Sequence, residues 1–299
     1  MVIAAGLVAV VFAAGAATVV LSRPERARHA APAPSAGAPG AGAPTGAAAL
    51  ASAAAARQQA AAWVASQANP DAIVACDPAM CAALQARGVP AGRLLVLTPA
   101  RSDPLGSDLV VATAAVRSQF GARLAGVYAP VTVAVFGSGA TRIDVRTVAP
   151  DGAAAYLAAL ATDIRARKTA GALMLRNSHI HVAATARAAL AAGEVDPRLL
   201  VTLATLAHLQ PLDITGFGGP GPGGSASAGA PLRSADITAA AAAGSRHPAS
   251  LQALMTILRA QRPPYSPSTL EIVRIPPIGN VLRIGYPVPS PLGLLGSGG

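Results

Sequence analysis

Aromatic residues are scarce in this chain of 299 residues: they make up 3% of it, with a single tryptophan. Lysine is almost absent too, because Lys168 is the only one, so arginine supplies nearly all of the formal net charge of +10. Proteins that hold single-stranded nucleic acid use aromatic stacking platforms, which argues against a nucleic-acid partner. The basic charge still permits attraction to anionic lipid or wall polymers.

Cysteine is represented by two residues, Cys76 and Cys81, in the stretch CDPAMC. Two thiols cannot fill the tetrahedral coordination of a structural zinc ion, and a redox pair usually has the spacing C-x-x-C. The pattern favours a disulfide, with two free buried thiols as the alternative. A disulfide across so short a loop would stabilise the fold by about 2 kcal/mol and would indicate an oxidising compartment.

The motifs of common enzyme classes are missing as well. The sequence has no G-x-S-x-G nucleophile elbow, and its few carboxylates are scattered without a pair spaced for glycoside hydrolysis. The glycine- and proline-rich run at 216–224 lacks the lysine of a phosphate-binding loop. The sequence therefore predicts no catalytic residues and no cofactor, and it favours a binding protein over an enzyme.

An uncharged apolar run, residues 2–21, opens the chain. At 1.5 Å per residue such a helix spans a hydrocarbon core of about 30 Å, so residues 1–22 are predicted to be a single-pass anchor in the cell membrane. A cleaved signal peptide is the alternative, but no basic region precedes the run, which is longer than an apolar signal segment of about 7–15 residues. The arginines after it favour a cytoplasmic body, whereas the cysteines favour the extracytoplasmic body that we adopt.

Residues 23–56 are predicted to be a disordered Ala/Pro/Gly linker. They carry hardly any large apolar side chains and cannot bury enough surface to offset their ordering entropy. The prolines keep such a segment extended, so that it would hold the body away from the membrane. The alanine-rich stretch 50–68 is predicted to contain the start of the first helix.

Short apolar strands then alternate with helices, which predicts an α/β fold with a mixed sheet and helices on its faces. We expect two subdomains, an α/β domain at 57–150 and a second one at 151–290. The second would contain a flexible loop at 216–230, because that stretch is rich in glycine, proline and serine. Residues 291–299 are predicted to be a disordered tail.

Three aspartates indicate where helices begin. Asp77 and Asp196 each precede a proline, which places an N-cap residue before a proline at the first helical position. Asp151 is predicted to cap the first helix of the second subdomain.

Two segments carry the most distinctive pattern: residues 107–117 read SDLVVATAAVR, and residues 133–148 read VAVFGSGATRIDVRTV. Around them, residues 61–150 resemble the extracytoplasmic soluble domain of actinobacterial protein-mannosyltransferase-like membrane glycosyltransferases. The resemblance does not extend to the multi-spanning catalytic part of those enzymes. It implies a place at the outer face of a membrane, with an envelope glycan or a membrane glycosyltransferase as the expected partner.

The same region offers candidate ligand-binding residues. Two apolar runs, 131–136 and 143–148, flank a glycine-rich turn that contains Ser138, which predicts a β-hairpin. Arg142 and Arg146 lie four residues apart on its second strand and so share one face. They are predicted to bind an anionic sugar or a lipid phosphate, with a solvated sheet face as the structural alternative.

A metal site is the other hypothesis for the chemistry of this chain. His179 and His181 alternate on a predicted strand and share a face. Asp236 lies in a segment, 225–237, that resembles the S-x-H-x-x-G-x-A-x-D motif of zinc D-Ala-D-Ala carboxypeptidases, although Ala226 stands where the motif has its histidine. The resemblance implies an envelope hydrolase or an inactive relative of one.

The leading hypothesis is a non-catalytic, membrane-anchored protein of the cell envelope. It would bind an envelope glycan, a lipid head group or a membrane protein through its first subdomain, and residues 2–21 would contact the membrane.

Thiol labelling of intact cells with a membrane-impermeant reagent tests this location. We expect Cys76 and Cys81 to be labelled only after reduction, because an extracytoplasmic body keeps them in a disulfide. Labelling that needs cell lysis but no reductant would instead place the body in the cytoplasm.

Overall fold

The computed structural model describes residues 46–100, 103–219, 221, 223, 229–239 and 251–296. It confirms the α/β class and shows two mixed five-stranded sheets with helices. The predicted anchor at 1–22 lies outside the described residues. Among the residues that are described, no helix is both long enough and apolar enough to cross a membrane.

The first sheet combines three parallel strands with an antiparallel hairpin. Its order is β2-β1-β3-β5-β4, where β1, β2 and β3 are parallel and β5 pairs antiparallel with both β3 and β4. The predicted hairpin is thus formed by β4 and β5. The strands and their helices are α1 (Gly46–Gln67), β1 (Val74–Cys76), α2 (Pro78–Gln85), β2 (Leu94–Val96), β3 (Leu109–Ala112), α3 (Ala114–Phe120), β4 (Val131–Phe136) and β5 (Ile143–Thr147).

The second sheet has one parallel pair followed by antiparallel strands. Its order is β6-β7-β8-β10-β9, and only β6 and β7 run parallel. Sequence reasoning missed β8, in which polar residues alternate with apolar ones but Ile237 is the only large apolar side chain. The elements are α4 (Ala153–Arg176), β6 (Ile180–Val182), α5 (Ala184–Ala192), α6 (Pro197–Leu209), β7 (Leu212–Gly218), β8 (Ser234–Ala239), α7 (Leu251–Arg259), β9 (Thr269–Ile275) and β10 (Gly279–Gly285).

The predicted disulfide is present and lies at the start of α2. Cys76 ends β1, Cys81 lies in the first turns of α2, and their Cα atoms are 5.4 Å apart. The carboxylate of Asp77 accepts the backbone N–H of Met80 and caps the helix, as predicted. Asp196 caps α6 in the same way, by accepting the N–H of Arg198.

The starts of two helices differ from the sequence prediction. Helix α1 begins at Gly46, inside the segment 23–56 that was assigned to the linker, because alanine has the highest helix propensity and no proline follows Pro44 there. The residue before α4 is Gly152, and Asp151 makes no capping bond.

The predicted disordered tail is partly packed. Leu292 packs on the core of the first sheet and Leu295 on the core of the second. The backbone N–H of Gly293 donates to the buried carboxylate of Asp163 at 3.1 Å. Two apolar side chains and one buried acceptor therefore hold this segment, and residues 297–299 lie outside the described residues.

Helix α4 joins the cores of the two sheets. Leu160, near its start, is buried in the core of the first sheet, and Met174, near its end, is buried in the core of the second. Between them Asp163 and Arg167 form a buried ion pair with an N–O distance of 2.8 Å, and Arg167 also donates to the carbonyl of Gly193. The two sheets share this helix, and the subdomain boundary near residue 150 stays a prediction.

Helices α4 and α5 approach closely at Gly171. A Cβ at this position would lie 2.3 Å from the carbonyl oxygen of Leu190, in the last turn of α5. The backbones can touch only because residue 171 has no side chain.

The substitution Gly171→Ala is expected to lower the free energy of unfolding by about 1–3 kcal/mol, because the methyl group forces the two helices apart. Helix propensity alone would give the opposite sign, since alanine is favoured over glycine by about 1 kcal/mol. Chemical denaturation of the purified body measures the change. The control is Thr169→Ala, at an exposed position of the same helix, and a stabilised Gly171→Ala protein would contradict the packing.

Candidate functional site

A polar cleft of about 360 Å³ opens at one end of the second sheet. We call it the arginine cleft. It combines two arginines, one carboxylate, several hydroxyl groups and a run of glycines that follows β7. Its lining residues are Gln67, Gly218, Gly219, Gly221, Arg233, Ser234, Asp236, Ser268, Thr269, Arg283, Gly285 and Tyr286.

The floor of the cleft is set by the register of four strands. One cross-strand row contains Gly218, Ser234, Gly285 and Thr269, so glycines alternate with hydroxyl residues. A Cβ at Gly218 would lie 2.0 Å from Ser234 Oγ, and one at Gly285 would lie 3.0 Å from the Cβ of Thr269. Glycine at these positions therefore makes room for the side chains of Ser234 and Thr269, which a Cβ would contact too closely.

The next row of side chains on the same face of the sheet contains the ion pair of the cleft. Asp236 on β8 lies opposite Arg283 on β10, and the carboxylate accepts from Nε of Arg283 at 2.8 Å and from its Nη2 at 2.9 Å. The bond to Asp236 raises the pKa of Arg283. Arg283 is 37% exposed, so this guanidinium faces the solvent side of the cleft.

Arg233 is the buried cation of the cleft, with 4% of its surface exposed. Its guanidinium donates to the carbonyl of Tyr286 at 2.5 Å and to the side-chain oxygen of Gln67 at 3.3 Å. Among the described residues no carboxylate forms an ion pair with it. Burial lowers the pKa of Arg233 to about 10, which the charge of Asp196 opposes, and Arg233 is protonated at neutral pH.

A second layer of buried charges supports Arg233. We call Asp196, Arg198, Arg233 and Tyr286 the buried charge cluster. Arg198 donates to both carboxylate oxygens of Asp196, at 2.9 and 2.8 Å, and its guanidinium lies 5.0 Å from the centre of the Tyr286 ring. With two guanidinium groups and one carboxylate, the cluster has a net charge of +1 below the cleft.

The predicted ligand-binding residues lie elsewhere, on the first sheet. Arg146 donates to the carbonyls of Ala129 and Pro130 and to the hydroxyl of Thr132. These bonds hold the segment that enters β4, which favours a structural role, and burial lowers the pKa of Arg146.

Arg142 and Ser138 lie at the hairpin turn. Arg142 is partly exposed and pairs with Asp144 at 2.7 Å, while the Ser138 carbonyl accepts from the backbone and hydroxyl of Thr141. Ligand binding by these residues stays a prediction.

The set proposed for a metal is not brought together. His179 precedes β6 and its ring contacts the carbonyl of Ala207 at 3.3 Å. His181 is exposed on β6, whereas Asp236 lies on β8, beyond β7, and is paired with Arg283. Within the described ranges no group of three His, Cys, Asp or Glu side chains could hold a metal ion.

Sequence reasoning did not identify Arg233 and Arg283, because their partners Tyr286, Gln67 and Asp236 come from distant parts of the chain. The only local signals are the alternations Ser234-x-Asp236 and Arg283-x-Gly285, which place polar groups on one face of a strand.

Comparisons with known proteins leave the site to be interpreted from its chemistry. No family model matches the chain, and neither the curated proteins nor the solved structures give a significant match.

The buried charge cluster predicts a pH dependence of stability. Burial raises the pKa of Tyr286 to about 12, which a hydrogen bond with Thr202 partly offsets. The unfolded chain releases this proton near pH 10, so the contribution of Tyr286 to the free energy of unfolding decreases as the pH rises from about 10 to about 12.

We therefore expect the free energy of unfolding of the wild type, minus that of Tyr286→Phe, to decrease as the pH rises from about 10 to about 12. The decrease should reach up to about 2–3 kcal/mol. Denaturant unfolding at several alkaline pH values measures it, and contributions of groups unaffected by the substitution cancel in the difference. A difference that does not vary with pH would contradict the raised pKa.

Proposed function

We propose that this protein is a non-catalytic, membrane-anchored component of the cell envelope that binds an anionic group, the carboxylate or phosphate of an envelope polymer, in the arginine cleft. The observation that carries the proposal is Arg233, a buried guanidinium that lines the cleft without an ion-pair partner among the described residues.

A buried charge without a counter-charge is costly, and the cost falls when an opposite charge binds beside it. The planar guanidinium offers paired N–H donors that match carboxylate and phosphate oxygens. Arg283 supplies a second guanidinium at the rim, and the hydroxyls of Ser234 and Thr269 supply further donors.

The chemistry of the cleft favours binding over catalysis. Its carboxylate, Asp236, accepts two hydrogen bonds from Arg283 and is held in an ion pair. Its remaining polar side chains are arginine, hydroxyl and amide groups, which are typical of ligand recognition.

The extracytoplasmic location is supported by the disulfide between Cys76 and Cys81, since such bonds persist in oxidising compartments. The apolar run at 2–21 would anchor the chain, and the resemblance of residues 61–150 to an extracytoplasmic domain agrees with this arrangement.

Substitution of the two arginines tests the site. Arg233→Gln and Arg283→Gln are each expected to weaken binding of glucuronate and of glycerol phosphate at least tenfold, because each removes a guanidinium that would pair with the bound anion. Asp236→Asn is expected to tighten binding, since it removes a competing anion and frees Arg283. Calorimetry at low salt measures all three.

Arg142→Gln is the control, because it removes an equal charge at the hairpin turn of the first sheet. Thermal melts check folding, and if Arg233→Gln does not fold, the test rests on Arg283→Gln and Asp236→Asn at less buried positions. If Arg142→Gln loses binding and the cleft variants keep it, the binding site lies at the hairpin and not in the arginine cleft. Preference for glucuronate would indicate an acidic sugar, and preference for glycerol phosphate a phosphate-bearing polymer or head group.

A further inference from the structure

A second cleft, of about 440 Å³, lies beside the arginine cleft. We call it the aromatic cleft. Apolar side chains form its walls, and amide and hydroxyl groups from α1 form its rim. It is lined by Gln59, Ala62, Trp63, Ser66, Gln67, Val135, Phe136, Gly137 and Gly223.

The two clefts are adjacent at Gln67. Gln67 lines both of them, and through its side-chain oxygen it accepts a hydrogen bond from Arg233. A Cβ at Gly221 would lie 4.0 Å from both the Gln67 side chain and Trp63 Nε1. A ligand held by Arg233 can therefore continue past Gln67 into the aromatic cleft.

Gly223 forms part of one wall of the aromatic cleft through its backbone. The carbonyl of Gly223 accepts the N–H of Val135 on the edge strand β4 at 2.8 Å. A Cβ at Gly223 would lie 2.2 Å from a ring carbon of Phe136. Glycine is thus required for the backbone to pass this closely over the aromatic ring.

The chemistry of the cleft has two sides. Trp63 and Phe136 form an edge-to-face pair with ring centres 6.2 Å apart, which gives an apolar wall. Gln59, Ser66 and Gln67 lie along one side of α1 at helical spacing and give a rim of donors and acceptors. A sugar ring matches both, because it presents apolar C–H groups on its face and hydroxyls on its edge, whereas an acyl chain would leave the rim unpaired.

We propose that the aromatic cleft binds the neutral sugar ring next to the anionic group, so that the ligand is an acidic saccharide of at least two units. This inference rests on the proposed function of the arginine cleft. It adds that the sugar is recognised in its own right by the amide rim of α1.

The test compares glucuronate with a disaccharide of glucuronate and N-acetylglucosamine, and with octyl glucuronide, which replaces the second sugar with an alkyl chain. We expect the disaccharide to bind at least tenfold more tightly than glucuronate. Gln59→Ala is expected to remove most of this gain while glucuronate binding stays unchanged. Because Trp63 is the only tryptophan, the disaccharide should also change the tryptophan emission more than glucuronate does.

Gln58→Ala is the matched control. Gln58 neighbours Gln59 on α1, but its side chain accepts a bond from Arg87 outside the cleft, so this variant should keep the full gain. Equal affinities for glucuronate and the disaccharide would overturn the inference and leave the arginine cleft as the site. If octyl glucuronide shows the same increase in affinity over glucuronate as the disaccharide does, and Gln59→Ala leaves that increase unchanged, the aromatic cleft binds an apolar chain and not a sugar. Binding of none of the three would overturn this inference, and the binding of glycerol phosphate would then decide whether the arginine cleft is an anion site.

Discussion

The carboxylate of Asp196 is the group on which much of the structure depends. It caps α6, pairs with Arg198 and accepts the hydroxyl of Ser290 at 2.5 Å, although it is fully buried. Arg198 in turn donates to the carbonyl of Pro287. A buried charge tolerates few arrangements, because any unmet partner costs several kcal/mol. The pair therefore fixes the path of the C-terminal segment, which runs against the middle of the chain.

That path positions the candidate site. The backbone of Val288 exchanges hydrogen bonds with the end of α1, by donating to the carbonyl of Gln67 and accepting from the N–H of Asn69. Gln67 is thereby held at the boundary of the two clefts, where its side chain reaches Arg233. The anion site and the neighbouring aromatic cleft thus share one support, and a helix of the first sheet completes a cleft at the end of the second.

Local rules were enough for many elements. The N-caps Asp77 and Asp196, the hairpin of β4 and β5, and the disulfide are set by residues close in sequence, whose propensities act without distant partners. The ends of the fold were harder to predict. The start of α1 depended on alanine propensity in a stretch whose composition is also typical of a linker. Leu292 and Leu295 pack against cores formed by residues distant in the sequence, and their neighbours in the chain do not indicate this packing.

The sequence by itself indicated the α/β class, favoured the disulfide between Cys76 and Cys81 and showed the scarcity of catalytic motifs, because composition and short spacings express these directly. Only the tertiary structure decided that Arg233 is buried with no ion-pair partner among the described residues, that Arg283 faces Asp236, and that Gln67 accepts a hydrogen bond from Arg233. These contacts connect residues separated by dozens to more than a hundred positions, and strand register sets them. Register follows from the packing of whole sheets, which no short window of sequence contains.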